Sequence, residues 1–551
     1  MSATIEKPWF SSYSPDVPTS VDVPHQSIGE AWRARVTQDP AGTAAIYFDA
    51  KYTAATIDEM SDALAVALTK RGISKGSRVG IQLQNIPQFS ISLLALWKLG
   101  AIGLLINPMY KGNEFRRLVL DSGAVGLIVE DSLYASAVED SQDSDVEWIL
   151  TTSGLDLQQR NDPRVFSSTV RPEASPDGDL LSIIKKHAGQ RPPHVEVHQD
   201  DIALLTYTSG TTGPAKGATN THGNVLHIAA TNRQWYDFQP GDVMFAVAPL
   251  FHITGVGAVQ ATTLLHGGAL LFANRPHPEV ILELFKEHQV GHMIGSITVF
   301  NAIYQVEFGT AEHLHSAKAL YSGGAPIPPA TVAAFEEKFG KYIHNVYGMT
   351  ETTSATIAVP RGQRAPVDEA SGSLSIGVPL PNVEAAIVDL DGNVLPPNTE
   401  GELELAGPQV VPGYWHNPEA TEHTFPNGRL RTGDAAIMDE RGWVYIVDRL
   451  KDQINVSGFK VWPREVEDVL YEHPAVYEAA VLGEQDAYRG ETVVAYVSLK
   501  DNTAVDEAEL MNFTKDRLAA YKYPRKIYFL DDLPKTETGK IRRKALRTPH
   551  V

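Results

Sequence analysis

The sequence predicts an α/β protein: a large N-terminal region of two parallel-type sheets clad in helices, a small β-barrel subdomain, and a smaller α+β domain at the C-terminus. Three observations predict it. Apolar runs of strand length alternate with helix-length runs in two series, over about 78–130 and 201–346, and such alternation builds parallel sheets with helices on their faces. After Ser371 the texture changes to short strands separated by the hairpin dipeptides Asp391-Gly392, Asn427-Gly428 and Arg441-Gly442. Near Asp448 it changes again, to a compact mixture of strands and helices about 100 residues long. A chain of 551 residues is also too long for a single core.

Taken in order, residues up to about 27 are rich in Pro and Ser and are expected to wrap the surface. Helical spacing begins after Ser27, through Ile28, Ala31 and Trp32. The first series predicts strands at 78–84, 101–106 and 124–130 and helices at 88–99 and 114–121. Residues 131–200 carry clusters of Asp, Ser and Pro and read as an irregular excursion with short elements. The second series predicts strands at 202–207, 243–247, 269–273, 290–294, 317–321 and 342–346, with helices at 222–236, 255–265, 278–288, 298–306 and 328–339. Two series imply two sheets with a crevice between them, and ligands of open α/β sheets sit at the carboxyl ends of strands. The β subdomain is expected over about 372–447. The last region predicts helix 463–472, strands 476–482 and 491–499, helix 506–520, strand 526–530 and a basic tail. The expected domain limits are 1–449 and 450–551.

Composition narrows the function. Hydrophobic content of 43% and charged content of 21% are ordinary for a globular protein. The most apolar stretch, 91–106, is interrupted by Lys98 and Gly100, so no bilayer span is expected. The first residues, Met-Ser-Ala-Thr-Ile-Glu-Lys-Pro, lack the layout of a secretion signal, and the final Thr-Pro-His-Val is not a peroxisomal Ser-Lys-Leu. Zero cysteines leave no disulfide framework, thiolate metal site or cysteine nucleophile. The expected location is the cytoplasm. A net charge of −20 argues against generic nucleic-acid binding, and it requires local positive charge around any anionic substrate. Peripheral membrane contact and a homodimer are both compatible with this composition.

The strongest chemical signal is Leu204-Leu205-Thr206-Tyr207-Thr208-Ser209-Gly210-Thr211-Thr212-Gly213-Pro214-Ala215-Lys216-Gly217. A buried strand runs into a loop of hydroxyls and glycines followed by a lysine. Backbone N–H groups in such a loop form a concave anion site, and glycines permit close approach. The natural guest is a polyphosphate. This is not a Walker loop, because only two residues separate Gly210 from Gly213 and Gly217 follows Lys216.

Other strand ends carry further groups. Asn345-Val346-Tyr347-Gly348-Met349-Thr350-Glu351 offers a hard carboxylate suited to Mg²⁺, although a glutamate here would also cap a helix. Ser322-Gly323-Gly324-Ala325-Pro326 follows another strand, and Ala248-Pro249-Leu250-Phe251-His252 ends a third. In Arg431-Thr432-Gly433-Asp434 the aspartate fits turn chemistry and also the two hydroxyls of a ribose. A long string from Asp448-Arg449-Leu450-Lys451-Asp452 to Val456-Ser457-Gly458-Phe459-Lys460-Val461-Trp462-Pro463-Arg464 marks the start of the last domain, with Pro463 suited to a first helical turn. The tail holds Lys535-Thr536-Glu537-Thr538-Gly539-Lys540, basic text in an acidic chain.

Together these strings resemble the adenylate-forming enzymes: AMP-forming acyl-CoA synthetases, coumarate ligases, luciferases and peptide-synthetase adenylation domains. The likeness covers about 25–547 with five motifs in order, and the junction is similar to that of bacterial fatty acyl-CoA ligases, whose more usual version has Tyr at the Trp462 position. The resemblance implies ATP, Mg²⁺ and CoA. It implies that Thr208, Ser209, Gly210, Thr211, Thr212, Gly213 and Lys216 hold phosphate, with Thr208 and Glu351 serving Mg²⁺. Gly324, Ala325 and Pro326 would wall the adenine and substrate, Tyr347 and Gly348 would lie by the adenine, and Thr350 would meet phosphate. His252 would border the substrate carboxylate, Asp434 would take the ribose, and Arg449 would contact nucleotide. Lys451 would be the hinge of a mobile last domain, and Gly458 would approach the pantetheine of CoA with Lys460 in the same stretch. Lys540 would bridge the carboxylate and the α-phosphate, where a cation between two anions stabilises the transition state.

The activity implied is activation of a carboxylic acid as acyl-adenylate, then transfer to CoA. An acyl tunnel is expected near 297–304 and 323–326, lined by Ile297, Val299, Phe300, Ile303, Gly323 and Gly324. That apolar lining favours a medium- or long-chain fatty acid, with an aryl acid of coumarate or benzoate type second. A luciferase-like oxidase shares every motif.

Overall fold

The computed structural model describes residues 7–208, 215–325, 327–368, 372–456, 459–486, 490–501, 503–536 and 541–546, with the backbone alone at 451, 459, 460, 490 and 544. The largest sheets are both mainly parallel. One has the strand order Trp148–Thr152, Gly126–Glu130, Arg78–Gln82, Ile102–Leu105, Ile202–Tyr207, Gly217–Thr221, parallel throughout except for the last pair. The other runs Val378–Pro379, Ser354–Ala358, Ile343–Met349, Ala319–Gly323, His292–Gly295, Val243–Phe245, Ala269–Phe272, Thr43–Tyr47, Ala50–Thr53. Its interior is parallel and both margins are closed by antiparallel pairs.

The division of strands between sheets differs from the two-series expectation. The Ile202–Tyr207 strand opens the second series, yet it joins the first sheet beside Ile102–Leu105. The Thr43–Tyr47 and Ala50–Thr53 hairpin precedes the first series, yet it joins the second sheet beside Ala269–Phe272. Periodicity reports which residues are strands, and it is silent on the partner each strand takes across a long connection. The chain therefore laces the two sheets together twice, and strand ends from both can face one crevice.

The helix Pro87–Lys98 is buried on every side, and its few polar residues are bonded inside the fold. Trp97 Nε1 donates to Ala203 O at 3.2 Å, Ser90 Oγ to Gln260 Oε1 at 2.7 Å, and Gln88 Nε2 to Ser153 O at 2.9 Å. Its terminal Lys98 is buried as well. Lys98 Nζ lies 2.7 Å from Asp58 and 2.8 Å from Asp62, and Arg33 Nη1 reaches Asp58 at 2.6 Å. Burial, with a smaller push from the Arg33 charge, lowers the Lys98 pKa, and the two aspartates oppose that. Among the described residues no helix is long and apolar enough to cross a membrane.

Beyond these sheets, Glu384–Val388, Gly401–Ala406, Leu430–Met438 and Val444–Arg449 form a four-stranded antiparallel meander. The last region folds around its own core of Ile454, Val461, Val466, Leu470, Val481, Val497, Leu510 and Ile527. There the helices Pro463–Tyr471 and Glu507–Lys515 accompany a sheet of Phe459–Val461, Ile454–Val456, Gly490–Leu499, Val476–Asp486 and Lys526–Phe529.

Candidate active site

The strands on either side of the 208–216 stretch form a hairpin pair. Ile202–Tyr207 returns antiparallel as Gly217–Thr221, with Tyr207 opposite Gly217, and Thr208 N donates to Lys216 O at 3.0 Å. Gly217 has a packing reason: a Cβ there would stand 3.0 Å from the Tyr207 ring. Ser209, Gly210, Thr211, Thr212 and Gly213 lie outside the described residues, but the two ends that aim them, Thr208 and Lys216, do not.

The returning strand ties this hairpin to the Thr350-Glu351 segment. Asn220, fully buried, donates from Nδ2 to Thr350 O at 3.2 Å and to Thr353 Oγ1 at 3.0 Å. A short extended segment at Gly413–Trp415 lies against 217–219, through Trp415 N to Gly217 O at 2.7 Å and Thr219 N to Gly413 O at 3.1 Å. It delivers Tyr414, whose hydroxyl donates to Glu351 Oε1 at 2.6 Å while Lys216 Nζ sits 5.0 Å from its ring centroid. Lys216, Tyr414 and Glu351 thus form one cluster. Burial, and then the Glu351 charge, push the Tyr414 phenol far above its ordinary range, so it stays a proton donor.

The turn that presents Glu351 is strained. Thr353 and Ser354 hold φ of 52° and 103°, which non-glycine residues rarely adopt. Thr352 Oγ1 donates to Ser354 O at 2.6 Å, and a Cβ on Gly348 would fall 1.8 Å from that same carbonyl oxygen. Gly348 is therefore required by the backbone.

A second cluster sits on the meander. Asp434 is 2% exposed, accepts from the Tyr347 hydroxyl at 2.5 Å and pairs with Arg449 Nε at 2.7 Å. Strand register places Asp434 directly opposite Arg449. Burial first, and then Asp434, hold the Tyr347 hydroxyl protonated far beyond neutral pH. Since Tyr347 and Glu351 leave the same strand and turn, the two clusters are neighbours along one ridge.

His252 follows the strand end at Phe245 and lies two residues before a π-helix, Thr254–Ala261, a rare helix type frequent at functional sites. Its ring Nδ1 faces Thr254 N at 3.4 Å. The loop before it is held by Asn85, which accepts from Leu250 N at 2.8 Å and donates to Ala246 O at 2.6 Å and Ala248 O at 3.0 Å.

The expected acyl lining divides. Phe300 and Ile303 are fully buried, and Phe300 meets the Phe335 ring edge-on at 5.5 Å, so this face of the helix Ile297–Gln305 packs against its neighbour. Val299 is half-buried, and Val299 and Phe300 both border Gly295, the last residue of a central strand, together with Val247. Gly323 serves strand packing: a Cβ would stand 2.4 Å from Val346 O. Gly324 is exposed with φ of 85°, a left-handed position that favours glycine, and Ala325 is half-buried beside it. Pro326, Gly458 and Lys540 lie outside the described residues. Lys451 lies in the single turn Leu450–Asp452 and Lys460 in the strand Phe459–Val461. Sequence reading missed Asn85, Asn220 and Tyr414. Only Tyr414 left a signal, an aromatic directly after Pro412-Gly413.

The chain was compared with known proteins. A model of the AMP-binding enzyme family matches residues 32–415, and one of the AMP-binding enzyme C-terminal domain matches 465–540. A long-chain-fatty-acid–CoA ligase of Bacillus subtilis (strain 168) is 33% identical, with 98% of each chain covered. A feruloyl-CoA synthase of Amycolatopsis sp is 31% identical over 94% of this chain and 98% of its own. The crystal structure of ATP-bound MatB from Rhodopseudomonas palustris superposes with a TM-score of 0.84 at 27% identity, covering 94% of this chain and 98% of that one. With the family models running through both the large region and the last domain, the chain belongs to the AMP-binding enzyme family and is an AMP-forming acid–thiol ligase.

Proposed function

We propose that this protein is a medium- or long-chain fatty acyl-CoA ligase of the cytoplasm that uses ATP, Mg²⁺ and CoA in two half-reactions. The observation that carries the choice of acid is the 33% identity to a long-chain-fatty-acid–CoA ligase across 98% of both chains. The feruloyl-CoA synthase, at 31%, keeps an aryl acid as the second reading.

In the first half-reaction a carboxylate oxygen attacks the α-phosphorus of ATP, and the bond to pyrophosphate breaks. Thr208, Ser209, Gly210, Thr211, Thr212, Gly213 and Lys216 are assigned to the phosphates, with Thr350 at their edge. Tyr347, Gly348, Gly324, Ala325 and Pro326 are assigned to the adenine side, and Asp434 and Arg449 to the ribose and nucleotide. The donor set fits Mg²⁺: a hard carboxylate, Glu351, is oriented by Tyr414 next to the loop cation Lys216, and Mg²⁺ commonly takes one or two carboxylates plus phosphate oxygens. Glu351, with Thr208, would hold that ion, which neutralises phosphate charge when bound. His252 borders the substrate carboxylate, and Lys540 lies between it and the α-phosphate, offsetting the repulsion of two anions.

In the second half-reaction the CoA sulfur attacks the acyl carbon, the bond to AMP breaks, and AMP leaves. Residues 450–551 turn about Lys451, withdrawing Lys540 and presenting Gly458 and Lys460 to the pantetheine. A pyrophosphate-release screen over acids of graded length and aromaticity, with and without CoA, tests this reading. Turnover greatest on aliphatic acids of medium or long chain, with CoA consumed mole for mole, supports it; turnover confined to aryl acids replaces it with the second reading.

A further inference from the structure

Trp462 is the junction residue to which the reaction gives no task. Its indole leaves its own domain. It is 8% exposed and packs with Ala435 and Val447 of the meander, bordered by Ile437, in a small core separate from the one that holds the last domain together. Two hydrogen bonds flank it. Arg464 N donates to Asp448 Oδ2 at 2.9 Å and Arg464 Nη1 to Ile446 O at 2.7 Å, and Arg464 is 3% exposed. Asp448 and Ile446 precede Lys451 in the chain, whereas Trp462 and Arg464 follow it. All of these contacts therefore span the proposed hinge. Turning the last domain about Lys451 would withdraw the indole and expose Ala435 and Val447 to water. An indole carries a large apolar area, and within-chain domain interfaces are small enough for one such residue to matter.

We infer that Trp462 is a positioning residue, a latch across the hinge that holds the last domain in the orientation seen here and so sets the relative rates of the two half-reactions. This rests on the two-orientation reading above. A latch that favours one orientation must slow the half-reaction run in the other, because its release precedes that step.

The absence of cysteine makes the test direct. Cysteines placed at the exposed positions Lys51 and Lys515 carry spin labels, and pulsed electron resonance then reports the distance between large region and last domain. In Trp462→Ala the distance distribution is expected to gain a second population, the two half-reaction rates to move in opposite directions by a combined factor of about ten, and Trp462→Phe to restore most of both changes. Pyrophosphate exchange reads the first half-reaction and CoA consumption from synthetic acyl-adenylate reads the second. A single wild-type distance in folded Trp462→Ala, or equal losses in both half-reactions, would overturn the latch. If Trp462→Ala does not fold, Trp462→Leu decides: a second distance population with opposed changes in the two rates supports the latch, and wild-type values in both refute it. Failure of the proposed function looks different, since wild-type protein would then lack one half-reaction altogether.

Discussion

Tyr414 Oη and Glu351 Oε1 lie 2.6 Å apart, and through this bond a segment more than sixty residues downstream orients the carboxylate assigned to Mg²⁺. The same ring carries Lys216 on its face. Tyr414→Phe keeps the ring and removes the donor. A hydrogen bond to a charged group is worth about 1.5–3 kcal/mol, so adenylation should fall by roughly tenfold to a hundredfold. The Mg²⁺ concentration for half-maximal pyrophosphate exchange should rise with it. An unchanged Mg²⁺ dependence would separate Glu351 from the metal.

Asp434 is buried between Tyr347 and Arg449, and both donate to it. Asp434→Ala should weaken ATP binding by about 2–4 kcal/mol, the loss of a charge-assisted pair. Calorimetry with ATP on folded protein measures this, and an unaltered affinity would remove Asp434 from the ribose site.

Two consecutive residues of the helix Ile297–Gln305 differ in burial and make opposite predictions. Phe300→Ala should destabilise the fold by about 3–5 kcal/mol as a core truncation and leave the order of preferred acids unchanged. Val299→Trp should cost less stability and move the preference toward shorter acids. A bulky residue at Gly324 would be a poorer probe, since φ of 85° there would strain any side chain. A chain-length profile that shifts in the Phe300 variant and stays fixed in the Val299 variant would invert the assignment.

The junction should respond to pH. The Asp448 carboxyl is pushed up to about 6, first by burial and then by Glu467, while Arg543 and the backbone donors of Arg449 and Arg464 pull it down. Its folded pKa thus exceeds an unfolded value of about 3.9, so its contribution to stability is lost as pH rises from there through about 6. Asp448→Asn cannot ionise, and one of its two backbone donors loses an acceptor. The variant should melt lower than wild type near pH 5, and the gap should narrow near pH 8. Parallel melting curves across that range would show that Asp448 does not titrate with folding.

Much of this was legible in the chain. Glycines, hydroxyls and charges directly after apolar strands drew attention to 208–216, Glu351 and Asp434, and of these Thr208 and Glu351 do follow strands, while Asp434 lies within one. The boundaries of the Ile202–Tyr207 strand and of most helices followed from periodicity. What was hidden was pairing. Nothing local to Thr43–Thr53 says that it completes the second sheet, and nothing beside Asn220 says that it anchors Thr350. The aromatic after Pro412-Gly413 was visible, but not that the partner of Tyr414 is Glu351. Phe300 and Val299 look alike as apolar letters of one helix, and only the fold shows that the first is fully buried and the second half-buried.

The most direct measurement of the central claim follows the carboxylate oxygens. A fatty acid labelled with ¹⁸O in its carboxylate is incubated with the enzyme, ATP, Mg²⁺ and CoA, and the products are weighed by mass spectrometry. Attack by the carboxylate on the α-phosphorus followed by thiolysis must leave one labelled oxygen in AMP and one in the acyl-CoA, with none in pyrophosphate. Without CoA, the label should sit in an enzyme-bound acyl-adenylate that is consumed when CoA is added. Label in pyrophosphate or phosphate, ADP in place of AMP, or acyl-CoA formed with unlabelled AMP would contradict the account.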